Sequence, residues 1–303
     1  STLSLVTLPL LILFASICTF THAVYPIILQ HGMDGDPERY VWLAEKLNAT
    51  LGTATHVIQA DAHMKSVFKS IPQQVLDLKH EIESLPAEFF SQGKINLICH
   101  SQGGIVCRYF IEEYGDQMNF TVSKFISLAG VQGGAFGITK VLTERLPFLK
   151  GWLRDDLHSV LYREFTQSHL SLANFWRDPL HYADYLQKNS FLPYVNNEVL
   201  HADSERYKRN FASLDLLVAC GSSADELLEP ASSSVFSPYA VGSSTNLVPT
   251  KETDWYVKDL FGLQSLDKQG KFFTHFIPGV LHLQWLHDEE LFHTYILPYL
   301  RDN

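Results

Sequence analysis

The tetrad Ser101-Gln102-Gly103-Gly104 follows directly on an apolar run, Ile95 to His100 (INLICH), and leads into a second apolar-faced segment reaching Tyr114. A serine held at a sharp strand-to-helix bend is placed to attack a carbonyl, because the bend exposes its hydroxyl and small neighbours let backbones crowd together. Such an alcohol becomes nucleophilic only with a base to take its proton and oriented N–H groups to receive the developing oxyanion. The order serine, acid, histidine along the chain selects Asp225 and His282. Asp225 closes the turn Ser222-Ser223-Ala224-Asp225 after the apolar run LDLLVACG, and His282 stands behind Pro278-Gly279 after KFFTHFIP. One position departs from the usual G-x-S-x-G pattern: Cys99 replaces the first glycine, and cysteine is small enough for the bend.

Rival groups fit less well. His275 falls inside a strand-like run, where a structural role is expected, and His287 and His293 belong to the last helix or its approach. The five-residue step from His282 to His287 does not put both on one helical face, as paired metal ligands require, and no metal or cofactor is implied. Glu226 and Glu229 neighbour Asp225 but read equally as charges at a helix start, while Asp254, Asp259 and Asp267 read as surface. The oxyanion donors are expected to be the amides of Gln102, first on the nucleophile helix, and Met33, in the loop after the first strand. His31, Gly32, Gly103, Gly130 and Gln132 are expected to form the wall that meets substrate. The stretch Gly130 to Gly134 lacks the Lys-Ser/Thr ending of a phosphate loop.

Positioning these groups requires a scaffold of buried strands alternating with amphipathic helices. Tyr25 to Gln30, Thr53 to Ala60, Ile95 to His100, Val122 to Leu128, Leu214 to Gly221 and Lys271 to Ile277 read as strands, mostly as continuous apolar runs typical of a parallel sheet. Asp36-Pro37-Glu38 opens a helix with Tyr40, Leu43 and Leu47 on one face, Pro72 to Leu85 repeats Val75, Leu78, Ile82 and Leu85 at helical spacing, and Glu289 to Leu300 closes the chain. The expected class is α/β, an α/β-hydrolase fold. From residue 136 to about 212 the alternation lapses into an aromatic-rich, irregularly helical stretch, too long for a loop and read as an inserted cap.

Composition narrows the setting. The 303 residues carry a formal net charge of −10, which leaves no basic field for nucleic acid. Leu3 to Phe20 is almost wholly apolar and ends at Thr21-His22-Ala23, so residues 1–23 read as a signal peptide rather than a stable membrane span, with the working domain at 24–303. The sequons at Asn48 and Asn119 suit that route, as glycosylation sites of a lysosomal or secreted protein. With Cys18 set aside in the signal segment, Cys99, Cys107 and Cys220 form an odd set. They are expected to be buried thiols, with a Cys99–Cys220 bridge as the alternative.

Taken together, these residues resemble the palmitoyl-protein thioesterases over nearly all of the mature chain. The resemblance rests on His31-Gly32-Met33-Asp34, on Ser101-Gln102-Gly103-Gly104, and on Phe175-Trp176-Arg177-Asp178-Pro179, where Arg177 replaces the family's histidine. It continues through Asn189-Ser190-Phe191-Leu192, Asn197-Glu198, Tyr207-Lys208, the segment Asp225, Pro230, Phe236, Tyr239, and the stretch Tyr256, Asp259, Gly262, Leu263 before His282. Leu97-Ile98-Cys99 and Val106-Cys107-Arg108 are similar to the branch that prefers acyl-CoA. His31-Gly32-Met33 and residues 133 to 137 are closer to the branch that accepts acylated cysteines in proteins. What the resemblance implies is hydrolysis of long-chain acyl thioesters, with the same Ser101, Asp225 and His282. The alternatives are a lipase or carboxylesterase with the same three groups, and an inactive lipid-binding domain on the same fold.

Overall fold

The computed structural model describes residues 24–152 and 157–301; the segment read as a signal peptide lies outside the described residues. Six strands form one parallel sheet: β1 (Ile27–Gln30), β2 (Thr55–Val57), β3 (Lys94–His100), β4 (Thr121–Leu128), β5 (Leu216–Ser222) and β6 (Phe272–Ile277), in the order β2-β1-β3-β4-β5-β6. The chain moves outward from β1 to β2, then returns across β1 to place β3 on its other side. The carboxyl ends of β1 and β3 therefore flank the point where strand order reverses, which is where ligands bind in open α/β sheets. Those two ends carry the loop at His31 and the bend at Ser101.

Burial on both faces explains the continuous apolar runs. Ile28, Leu97, Cys99, Phe125, Leu217 and Ala219 join one core; their alternating neighbours Ile27, Leu29, Ile98, Ile126, Val218 and Cys220 join the other. α1 (Val41–Leu51) packs Leu43 and Leu47 into the second core, together with the last helical stretch, while α2 (Ile71–Glu83) and α3 (Gln102–Tyr114) cover the first. Asp36 initiates the first helical turn by accepting from Glu38 N at 3.0 Å, ahead of Pro37, and Gly52 ends α1 at φ 62°. The second expected strand shortens to three residues at the sheet edge, and the last helix runs from Glu289 to Arg301 with a wider π turn at Phe292–Ile296.

Between β4 and β5 the chain forms short helices, among them Lys140–Arg145, Glu164–His169, Tyr182–Lys188 and Ser204–Ala212. Their order comes from side chains that satisfy backbone groups, not from a long apolar period. The Asn189 amide donates to the carbonyls of Ala173, Asn174 and Trp176 and accepts from Phe191 N and Leu192 N. Glu198 accepts from Tyr182, Tyr185 and Asn196 and pairs with Arg177. Arg177 thus fills its place in the aromatic-Trp box as a buried cation over Tyr182 and Trp255. Among the described residues no helix is long and apolar enough to cross a membrane.

The cysteines depart from expectation. Cys99 is bonded to Cys107, and Cys220 is the buried free thiol. Strand order explains why Cys99 cannot reach Cys220. They sit on β3 and β5 with β4 between, two strand spacings or about 9.5 Å apart, beyond the reach of a disulfide, and they face opposite cores. Spacing along the chain hides the true partner, because α3 turns back over the face of β3 and brings Cys107 onto Cys99. The bond ties the strand and helix that flank Ser101. Chain-entropy arguments give a loop of this size about 2.5 kcal/mol. Cys107→Ser is expected to lower unfolding free energy by about 2–3 kcal/mol in urea titrations under oxidising conditions. An unchanged midpoint would mean that the bond does not constrain the unfolded chain.

Candidate active site

Ser101 sits at φ 57° and ψ −129°, a left-handed backbone that an L residue rarely adopts. Strain of this kind survives only where its surroundings enforce it. Here Ser101 N donates to Leu128 O at 2.9 Å, and Ser101 O accepts from Gly104 N at 2.9 Å, so the bend is pinned to β4 and to its own helix. Two glycines make room. A Cβ on Gly103 would lie 2.5 Å from His31 O, and one on Gly32 would lie 2.6 Å from the Cβ of Ser101. The loop after β1 and the nucleophile helix can therefore meet only as bare backbone.

The acid and base come from the ends of β5 and β6. Asp225 Oδ2 lies 2.7 Å from His282 Nδ1, and both side chains are almost wholly buried. Asp225 Oδ1 accepts from Leu227 N and Leu228 N, each at 2.9 Å, which holds the carboxylate in its turn. Burial works to raise the carboxyl's pKa. The charge and hydrogen bond of His282, with those two amides, outweigh it and keep the group below its ordinary value. A carboxylate on Nδ1 fixes the proton there and leaves Nε2 as the basic nitrogen. His282 and Ser101 line one cleft, and among the described residues no hydrogen bond joins them.

That cleft is partly open to solvent. Its wall is apolar on the side of the insert, with Leu142, Leu146, Leu172 and Phe175, and is continued by Leu227, Leu228 and Leu286. Arg39 and Arg145 reach its mouth as exposed cations. Met33 and Gln102 also line it. The Gln102 side chain turns away, donating to Ser66 O at 3.0 Å and Gln74 Oε1 at 2.8 Å, so what Gln102 can offer the cleft is its amide. Ser66 Oγ in turn accepts from Asp34 N at 2.8 Å and so braces the Met33 loop against the same segment.

Of the five residues expected to meet substrate, Gly32 alone lines the cleft; the other four lie behind it. His31 is buried, its ring nitrogens 3.0 Å from Gly32 O and 2.8 Å from Ala60 O. Gly103 packs on β1, and Gly130 backs onto Ser127 Oγ and the Cα of Gly104. Gln132 is buried, donating to Ser127 Oγ at 2.9 Å. These residues shape the bend from the rear. The correction has a simple cause: glycines mark where backbones crowd, and the crowded side of the serine is the side away from solvent. Among the rival acids, Glu226 accepts from His282 N at 2.9 Å and Glu229 accepts from Tyr239 Oη, so neither takes the ring. His275 has the structural role expected of it, 2.6 Å from Tyr299 Oη.

His100, next to the serine, was not singled out by its residue type. Its ring is fully buried, 4.8 Å from the ring of His282 between centroids. Nε2–H donates to His282 O at 2.8 Å, and Nδ1 accepts from Tyr40 Oη at 3.1 Å, which defines a neutral tautomer. Burial, reinforced by the neighbouring His282, pushes its pKa down to about 3. An unfolded histidine titrates near 6.5, so below that pH the unfolded chain binds a proton that the folded ring refuses. His100 therefore leaves stability untouched above about pH 6.5 and erodes it by about 1.4 kcal/mol per pH unit down towards pH 3. His100→Phe is expected to flatten this acid limb in urea titrations between pH 6 and 4. An unchanged slope would contradict a buried neutral ring.

Comparison with known proteins bears on the same geometry. The family described as palmitoyl protein thioesterase matches residues 26–282. Lysosomal thioesterase PPT2-B of Xenopus laevis is 34% identical over 96% of this chain and 98% of its own length. The human lysosomal thioesterase PPT2 is 31% identical over 97% of this chain and 93% of its own, and palmitoyl-protein thioesterase 3 of Dictyostelium discoideum 29% over 97% and 98%. Among solved structures, a soluble variant of monoglyceride lipase from Saccharomyces cerevisiae in complex with a substrate analog aligns with a TM-score of 0.50 at 13% identity, over 93% of this chain and 86% of that one. That likeness bears on architecture alone, and it agrees with the α/β-hydrolase arrangement of sheet and bend. With a family match from 26 to 282 and relatives above 30% identity along nearly its whole length, the chain belongs to the palmitoyl protein thioesterase family.

Proposed function

We propose that the protein is a serine hydrolase that cleaves long-chain fatty acyl thioesters through an acyl-enzyme on Ser101. The observation that carries this reading is the buried Asp225–His282 pair, at 2.7 Å, lining one cleft with a serine held at a left-handed bend. His282 Nε2 takes the Ser101 proton as Oγ attacks the thioester carbonyl, and the amides of Met33 and Gln102 receive the oxyanion. Collapse breaks the C–S bond, and the proton held on His282 leaves with the thiol. Water then attacks the acyl-serine with His282 again as base, releasing the fatty acid and restoring Ser101. Asp225 holds the ring in its tautomer and stabilises the cation formed twice in the cycle.

The substrate class follows from the wall as well as from the relatives. Leu142, Leu146, Leu172 and Phe175 can take an alkyl chain, whose burial contributes about 0.8 kcal/mol per CH₂. Residues 136 to about 212 act as the cap that supplies this wall. Matched thioester and oxygen-ester substrates of one acyl chain test the reading, with faster turnover of the thioester expected. Preference for the oxygen ester would favour a lipase. We place the protein in the lysosome or outside the cell, supported by relatives named as lysosomal, by the Cys99–Cys107 bond and by the exposure of Asn48 and Asn119 for glycosylation.

A further inference from the structure

His282 stands in a loop beyond the end of β6, outside the sheet ladder. Its position is nevertheless defined at three separate atoms. Asp225 takes the ring through Nδ1 at 2.7 Å, Glu226 Oε2 accepts from the backbone N–H at 2.9 Å, and His100 Nε2–H donates to the backbone carbonyl at 2.8 Å. The third support is itself aimed, since Tyr40 Oη donates to Nδ1 of His100 at 3.1 Å. Ser222 Oγ adds a tie one turn earlier, accepting from Val280 N at 3.0 Å. The peptide groups on both sides of the base are thus gripped by side chains from two other strand ends.

We infer that Glu226 and His100 are positioning residues of the hydrolytic site, acting on the backbone of His282 as Asp225 acts on its ring. The inference rests on His282 being the base. A residue with a ring alone tethered can pivot about that tether; with N–H and C=O both held, Cα is fixed and Nε2 has one direction. Reactivity is sensitive to this, since misplacing a reacting group by about 1 Å can lower a rate about 100-fold. Neither residue need touch substrate. His100 must also carry its proton on Nε2, or the carbonyl of His282 would have no donor.

The test compares kcat and KM on a palmitoyl thioester for Glu226→Ala, Glu226→Gln, His100→Phe and Ser101→Ala. Glu226→Ala is expected to lower kcat about 10- to 100-fold with KM within twofold and the melting midpoint little changed. Glu226→Gln, whose amide oxygen still accepts from His282 N–H, is expected to restore most of that rate. His100→Phe is expected to lower kcat similarly, and the low-field Nδ1 proton of His282 should shift or broaden in both impaired variants but not in Glu226→Gln. Since Glu226 is half-buried, its variants are expected to fold even where His100→Phe does not, and they then decide the matter alone. Wild-type kcat in Glu226→Ala beside an inactive Ser101→Ala would overturn the inference and leave the hydrolase reading intact. Activity in Ser101→Ala would instead overturn the reading on which it rests.

Discussion

Replacing Ser101 by alanine is expected to lower kcat on a palmitoyl thioester by at least about 10⁴-fold, with the folded state unaffected. On the proposed mechanism the substitution removes the atom that forms the acyl-enzyme, leaving His282 and the amides of Met33 and Gln102 to offer only weak assistance to water. The structural reason for an intact fold is that the substitution removes Oγ and nothing else. Ser101 Oγ makes no hydrogen bond among the described residues, and the bend is held by backbone bonds to Leu128 and Gly104. Alanine meets the same φ of 57° that serine does, so no new strain enters. Initial rates alongside thermal melts read both halves of the prediction. A loss of activity matched by a lost melting transition would point to folding instead.

Asp225→Asn is expected to lower kcat by about 10⁴-fold while binding of substrate changes little. The amide matches the carboxylate in shape, and its oxygen can still accept from Leu227 N and Leu228 N, so the turn persists. What changes is the group facing His282 Nδ1. If the amide nitrogen faces the ring it must donate, which forces the proton to Nε2 and removes the base from the side of the serine. Orientation and the stabilising charge are lost together. Rates across pH on an acyl thioester measure this. A loss of less than tenfold would assign the acid to a neighbour, and Glu226, already within 2.9 Å of His282 N, would be the first to examine.

Much of this arrangement was legible in the chain because it rests on residue types that the chemistry demands. The buried strands read as apolar runs, since both faces of β1, β3 and β4 are covered, and their ends then placed Ser101, Asp225 and His282 at one edge. The edge strand β2 is shorter than its apolar pattern suggests, because a short, half-buried strand carries little of that pattern. The Cys99–Cys107 bond escaped because it depends on where a helix folds back, which spacing alone does not give. His31, Gly103, Gly130 and Gln132 read as a wall that meets substrate yet stand behind the bend, since crowding marks a place and not a direction. Glu226 and His100 carry no signal of their own: each serves a backbone atom of one loop, and that partner exists only after folding. The stretch between β4 and β5 reads as irregular because its short helices are ordered by groups such as Asn189, whose bonds have no period.

The whole account depends on acyl transfer to one hydroxyl. Enzyme turning over a palmitoyl thioester should be quenched in acid within milliseconds, digested, and its peptides weighed by mass spectrometry. We expect a palmitoyl group in ester linkage on the peptide holding Ser101, absent from Ser101→Ala and decaying as substrate runs out. Turnover with no acylated peptide, or with the acyl group on another residue, would contradict Ser101 as the nucleophile.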